Sequence, residues 1–82
     1  MNFNIGKLYQ VKKYYWFLYP TKDIAACNLL EQHAVSDISP NSIFCLLEKD
    51  GNFLKVLSTS GELGWMVCPS NEDKGCIEEV NQ

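Results

Sequence analysis

Four cysteines and one histidine are the side chains of this 82-residue chain best suited to metal binding or nucleophilic catalysis. No two of the cysteines have the close spacing of zinc ligands, and His33 is the only histidine available to complete a site. Cys27 precedes His33 by six residues, but a short sequence spacing does not identify a catalytic pair. The cysteines are Cys27, Cys45, Cys68 and Cys76. The sequence thus predicts no metal, no cofactor and no catalytic residues.

The surroundings of the cysteines also bear on where the protein works. Cys45 and Cys68 lie inside apolar runs, where a free cysteine behaves as a small buried hydrophobe. An even cysteine count is also compatible with a secreted, disulfide-bonded domain. Against export, Lys7, Lys12 and Lys13 interrupt the N-terminal region before a long apolar segment forms. We expect a reduced protein in the cytoplasm (that of the host, if the source is a phage).

The sequence also gives little evidence for a carboxylate-based catalytic site, a phosphate-binding loop or a membrane-spanning segment. Glu78 and Glu79 are adjacent, so on a strand they point to opposite faces and form no catalytic pair. The chain contains no glycine-rich phosphate-binding loop. The longest apolar run, residues 14–19, is too short to cross a bilayer. The sequence predicts neither an enzyme nor a membrane protein.

The densest chemical signal is aromatic. Five of the six residues at positions 14–19 are aromatic, directly after Lys12 and Lys13 and before Pro20. Such residues favour strands, and proline ends the run because it cannot donate to a ladder. On a strand, two or three of these rings must face solvent or cover an edge. An exposed aromatic face beside two lysines is a candidate interaction patch. The structural alternative is that the rings plug one open end of a small barrel.

The charge distribution bears on the class of partner. The chain has net charge −3, with seven lysines and no arginine; residues 1–22 carry +4 and residues 23–82 carry −7. A net acidic chain without arginine is a poor general nucleic-acid binder, since phosphate contacts depend on dense positive charge. The alternative function is nevertheless a small nucleic-acid-binding barrel that stacks bases on the basic aromatic strand of residues 12–19.

The remaining elements form a thin frame around a central β-meander. Predicted strands cover residues 42–48, 53–58 and 62–68, joined by turns at Asp50-Gly51 and Ser60-Gly61. Gly64 within the third strand suggests a kink or bulge. Further strands are predicted at 7–12, 13–20 and 76–80, a short helix within 24–34, and a turn region at 35–42. The prediction is one all-β domain spanning residues 1–82.

The order of these features resembles an SH3-like domain, closest to the bacterial and viral SH3-type modules. The stretch 7–11 (KLYQV) resembles the first strand of such domains, and a long irregular arm follows in the place of the RT loop. The stretches 60–65 (SGELGW) and 69–71 (PSN) resemble the distal turn with its Gly-Trp and the Pro-Ser-Asn that opens the 3₁₀ turn. The resemblance covers residues 7–80 and implies a small barrel of about five strands.

The resemblance also implies a peptide groove, formed by Tyr9, Phe53 and Pro69 with Asn71 as polar partner. Grooves of this family hold polyproline helices against aromatic ridges. Here the pattern is damaged, because phenylalanine replaces the usual tryptophan at Phe53 and glutamate replaces the tyrosine after Asn71. These departures argue against proline-rich peptides as ligands.

The leading hypothesis is a non-catalytic protein-binding or assembly module. Its partner would be another protein, bound by the aromatic run together with what remains of the groove. The candidate contacts are Tyr9, Tyr14, Trp16, Tyr19, Phe53, Trp65, Pro69 and Asn71.

Overall fold

The computed structural model of the chain describes residues 3–26, 34–69 and 75–80. This part of the protein is all-β, with a single short helix and two antiparallel sheets. The elements are β1 (Leu8–Val11), β2 (Trp16–Leu18), α1 (Lys22–Ala26), β3 (Ser36–Ile38), β4 (Ile43–Asp50), β5 (Phe53–Ser58), β6 (Leu63–Val67) and β7 (Ile77–Glu79).

The larger sheet contains five strands in the order β6-β5-β4-β1-β7. Its centre is the predicted meander, and Asp50 pairs with Phe53 across the first turn, where Gly51 has a φ of 59°. At the second turn, the hydroxyl of Ser58 accepts a hydrogen bond from the Glu62 amide at 3.0 Å. β1 pairs with β4 on one side and with β7 on the other, so the first and last strands are neighbours.

The smaller sheet is the β2–β3 ribbon, which the chain forms between β1 and β4. Beyond β2, the amide and carbonyl of Tyr19 both bond to Trp65 of β6, at 2.8 Å each. Gly64 is required at this junction, because a Cβ atom there would lie 2.8 Å from the Leu18 Cβ and 3.2 Å from the Tyr19 carbonyl oxygen. A residue without a side chain allows the ribbon to approach the edge of the larger sheet.

Both sheets contribute to one hydrophobic core. Strand alternation directs every second side chain inward, so that neighbours such as Phe44 and Leu46 are fully buried while Cys45 between them is only half-buried. The core residues are Phe3, Tyr9, Val11, Leu18, Ile38, Phe44, Leu46, Leu54, Val56, Met66 and Ile77. Leu18 and Ile38 come from the ribbon, which therefore belongs to the same folding unit as the larger sheet.

Several sequence-based boundaries change in the structure. The predicted turn region at 35–42 contains β3, which pairs with β2 and completes the ribbon. The predicted strand at 13–20 shortens to β2, because the chain bends at residues 12–15. The helix begins at Lys22, two residues before its predicted start, and the part of the predicted helix at 27–33 lies outside the described residues. The register shift occurs in β4 between Leu46 and Glu48, and not at Gly64.

Candidate partner-binding surface

The chain leaves β1 through a bend at residues 12–15, here called the aromatic bend, which contains Lys12, Lys13, Tyr14 and Tyr15. Its backbone is fixed to Cys76, directly before β7, since the amides of Lys12 and Lys13 both donate to the Cys76 carbonyl, at 2.6 and 3.2 Å. The bend is therefore a defined part of the sheet surface.

Tyr14 has a φ of 65°, in the left-handed region that bulky side chains rarely adopt. On the far side of the bend, the indole nitrogen of Trp16 donates to the Lys13 carbonyl at 3.0 Å. The side chains of Tyr14 and Tyr15 are 65% and 60% exposed. The bend thus presents two neighbouring tyrosines to solvent, which strand alternation would have placed on opposite faces.

The charges of the bend are only partly compensated. Lys12 Nζ lies 3.8 Å from Glu78 Oε2 on β7, and both side chains are exposed. Lys13 is exposed and makes no ion pair within the described ranges. Exposed aromatic rings next to an uncompensated amine are suited to contact a partner by apolar and charge interactions together.

The rest of the aromatic run turns inward. Trp16 is half-buried and packs against the core, while Tyr19 is only 2% exposed and lies at the junction with β6. Of the three predicted contacts in this run, Tyr14 alone lies fully at the surface. Tyr15, which was not among the predicted contacts, is as exposed as Tyr14. The sequence pattern does not predict a positive φ at Tyr14, and it therefore does not predict that the rings of Tyr14 and Tyr15 are both exposed.

The implied peptide groove loses its central member. Tyr9 is fully buried; its hydroxyl accepts a hydrogen bond from the Asn4 amide at 2.6 Å, and its ring stacks on Phe44 at 5.7 Å. The predicted contacts Tyr9 and Tyr19 are thus both buried, and neither ring is exposed at the surface. Phe53 and Pro69 are half-buried, and Asn71 lies outside the described residues.

Trp65 is half-buried and already has neighbours on its ring. The amines of Lys22 and Lys55 lie 5.4 and 6.0 Å from the ring centroid. Lys22 also bonds to Asp50, and this bond raises the pKa of Lys22 above its ordinary value. Lys55 pairs with Glu48 at 3.4 Å. The ring of the predicted contact Trp65 is therefore partly covered by Lys22 of α1 and Lys55 of β5.

The three described cysteines are free thiols. Burial raises the pKa of the Cys68 thiol, so this thiol is protonated at neutral pH and is a weak nucleophile. In residues 3–26, 34–69 and 75–80, no group of three His, Cys, Asp or Glu side chains is placed to hold a metal ion. Over the same residues, no helix has the length and apolar character to span a membrane.

Comparisons with family models, curated proteins and solved structures return no significant match to this chain.

Proposed function

We propose that the protein is a non-catalytic module that binds another protein through the aromatic bend. The observation that carries this proposal is the exposure of Tyr14 and Tyr15 on a bend fixed by hydrogen bonds at both ends. In this bend Tyr14 has a left-handed backbone conformation, which is strained for a residue with a side chain. Strained backbone of this kind is characteristic of functional sites. Tyrosines with few rotatable bonds are also effective binding residues, because little side-chain entropy is lost on contact.

We further propose that the domain is SH3-like. The strand order supports this, since β1 and β7, the counterparts of the family's first and closing strands, are adjacent, and β4, β5 and β6 form the meander between the assigned turns. The β2–β3 ribbon occupies the place of the RT arm. With Tyr9 buried, the binding surface would be the bend and not the proline-peptide groove.

Site-specific crosslinking tests the proposed function. A photo-reactive phenylalanine at position 15 should crosslink a partner from a lysate of the source organism, while the same residue at Thr59, exposed in the β5–β6 turn, should not. The identified partner should then bind the purified protein, with an affinity that falls at least about tenfold in the Tyr14→Ala/Tyr15→Ala variant. Equal crosslinking from both positions, or unchanged affinity in the variant, would refute the proposal.

The second candidate function is single-stranded nucleic-acid binding by the same bend. Lys12 and Lys13 next to two exposed rings favour it, because bases stack on aromatic side chains while amines neutralise phosphates. An amide NMR titration with a single-stranded oligonucleotide at low and high salt distinguishes the candidates. Shifts at residues 12–15 that vanish at high salt support nucleic acid. If the oligonucleotide causes no amide shifts, and the partner identified by crosslinking still binds, the protein-partner function is supported.

A further inference from the structure

The outer face of the larger sheet carries a row of apolar side chains that crosses all five strands, here called the apolar row. Leu8 pairs with Cys45, Cys45 with Leu57, and Leu57 with Leu63. The amide of Val80 donates to the Leu8 carbonyl at 2.8 Å, which continues the β1–β7 register by one residue and places Val80 beside Leu8. Directly paired residues share a face, and this face lies opposite the core, because core residues alternate with these along β1, β4 and β5.

The apolar row is open to solvent at its β5–β6 end. Leu57 is 38% exposed and Leu63 is 50% exposed. Leu47, in the β4 bulge two residues after Cys45, adds a third leucine that is 37% exposed. The other members of the row are half-buried. Because contiguous exposed apolar side chains mark contact surfaces more often than scattered ones do, this face is a candidate interface.

The charged side chains beside the row are compensated within the chain. On one side of the row Glu48 pairs with Lys55 at 3.4 Å, and on the other side Glu78 pairs with Lys12 at 3.8 Å. The face therefore offers no free charge to a cationic or an anionic partner. A suitable occupant is an apolar sheet face whose own charges are already paired. The same face of a second copy meets both conditions.

Charge and register together select one symmetry for such a pair. Two sheets pack face to face about 10 Å apart with their strands nearly aligned, so the two-fold axis runs between them, either along the strands or along the row. An axis along the strands through Cys45 would place the two Glu48 side chains opposite each other, and juxtaposed like charges are unfavourable. An axis along the row places Ile43 of one copy opposite Leu47 of the other, since these residues lie two positions to either side of Cys45 on β4.

We propose that the apolar row is the interface of a homodimer in which two copies pack sheet against sheet, with the two-fold axis along the row. Each member of the row then lies opposite the same residue of the other copy, and Leu57 and Leu63 bury their exposed sides. Because the interface is small, the dimer should be weak and should form only at high protein concentration. The aromatic bend is not part of the row, so dimerisation is independent of the proposed binding function.

Sedimentation equilibrium tests the dimer. Between about 10 µM and 1 mM protein, the average mass should rise from 9.4 kDa toward twice that value. Leu63→Lys should weaken association at least about tenfold, because it places two amines opposite each other. The matched control is Val35→Lys, a change at a 59% exposed position near the ribbon, which should leave association unchanged. A protein that stays monomeric at the highest concentration, or a dimer that is insensitive to Leu63→Lys, would overturn the proposal.

Thiol crosslinking tests the symmetry. A short bismaleimide should join Cys45 of one copy to Cys45 of the other, since Cys45 is a free thiol at the centre of the row. With Cys45→Ser as background, Leu63→Cys should crosslink to itself and Ile43→Cys should not, and mass spectrometry identifies the linked residues. The reverse pattern would contradict the proposed axis. Tyr14→Ala/Tyr15→Ala should dimerise as the wild-type protein does, and loss of the dimer in this variant would place the interface at the aromatic bend instead.

Discussion

Tyr14 illustrates how a single residue sets the character of the surface. Its φ of 65° lies in the bend that follows β1, and its ring, which is 65% exposed, makes few contacts that would offset the strain. For L-residues the left-handed region costs about 1–2 kcal/mol, and glycine avoids this cost because it has no Cβ. A tyrosine at this position therefore costs stability, which agrees with the proposed role of its ring in binding.

Tyr14→Gly should raise the free energy of unfolding by about 1 kcal/mol, since the strain disappears and little packing is lost. The matched control is Tyr15→Gly, which changes a neighbour of equal exposure without a positive φ and should lower stability by about 0.5–1 kcal/mol. Urea unfolding followed by circular dichroism measures both. A loss of stability in Tyr14→Gly as large as in the control would show that the strain is not stored there.

The thiol of Cys68 should make the stability of the fold depend on pH. Its pKa is raised because burial disfavours the thiolate. The folded state therefore retains a proton that the unfolded state releases, and stability should fall as the pH rises above the unfolded thiol pKa. Thermal unfolding of the wild-type protein between pH 7 and pH 10 should show a decline that is smaller in Cys68→Ala. An identical decline in both proteins would assign the pH dependence to other groups.

Among the elements, the junction between the ribbon and β6 is where the smaller sheet is attached to the edge of the larger one. Two backbone hydrogen bonds connect Tyr19 to Trp65, and the absence of a side chain at Gly64 permits the approach of Leu18. The Lys22–Asp50 pair adds a bridge from α1 to the first hairpin, but exposed pairs contribute little. Backbone pairing and close packing are therefore the main interactions at this junction.

Gly64→Ala should lower the free energy of unfolding by about 1–3 kcal/mol, because the new Cβ would overlap the Leu18 Cβ and crowd the Tyr19 carbonyl. Neither neighbour is the flexible end of a side chain, so backbone must move. Leu63→Ala, a change at the half-exposed preceding position, should cost less than about 1 kcal/mol. Amide shifts in Gly64→Ala should be largest at residues 18–19. Equal stability of the two variants would mean that the junction is looser than the distances indicate.

On the scale of the whole molecule, one small core stabilises both sheets. Because Leu18 and Ile38 of the ribbon pack with the central strands, the ribbon should not unfold separately. Cooperative unfolding in one step is the usual behaviour of a domain of this size.

Leu54→Ala, at a fully buried position, should therefore cost about 2–5 kcal/mol, a large share of the total stability of a small domain. Leu57→Ala, on the same strand with a side chain that is 38% exposed, should cost much less. The unfolding curves from far-ultraviolet circular dichroism and from tryptophan fluorescence should coincide, since Trp16 reports on the ribbon and Trp65 on the larger sheet. Separate transitions would divide the chain into two folding units.

The sequence by itself determined the elements whose signals are local. Short apolar runs bounded by the glycine turns at Gly51 and Gly61 specify the meander, and the all-β class follows from it. The density of aromatic residues beside two lysines identified residues 12–19 as the region of interest. These features are readable because the composition of a short run and the conformational freedom of glycine act over a few neighbouring positions.

Only the tertiary structure decided which aromatic residues are available. Tyr9 and Tyr19 are buried and Tyr14 and Tyr15 exposed because of contacts with Phe44, Trp65 and Cys76, which are remote in sequence. The strand β3 likewise depends on its partner β2, since a stretch of three residues, two of them polar, has no strong preference of its own. Burial of a ring and pairing of a short strand are properties of long-range packing. Both are determined only when the two sheets pack against each other.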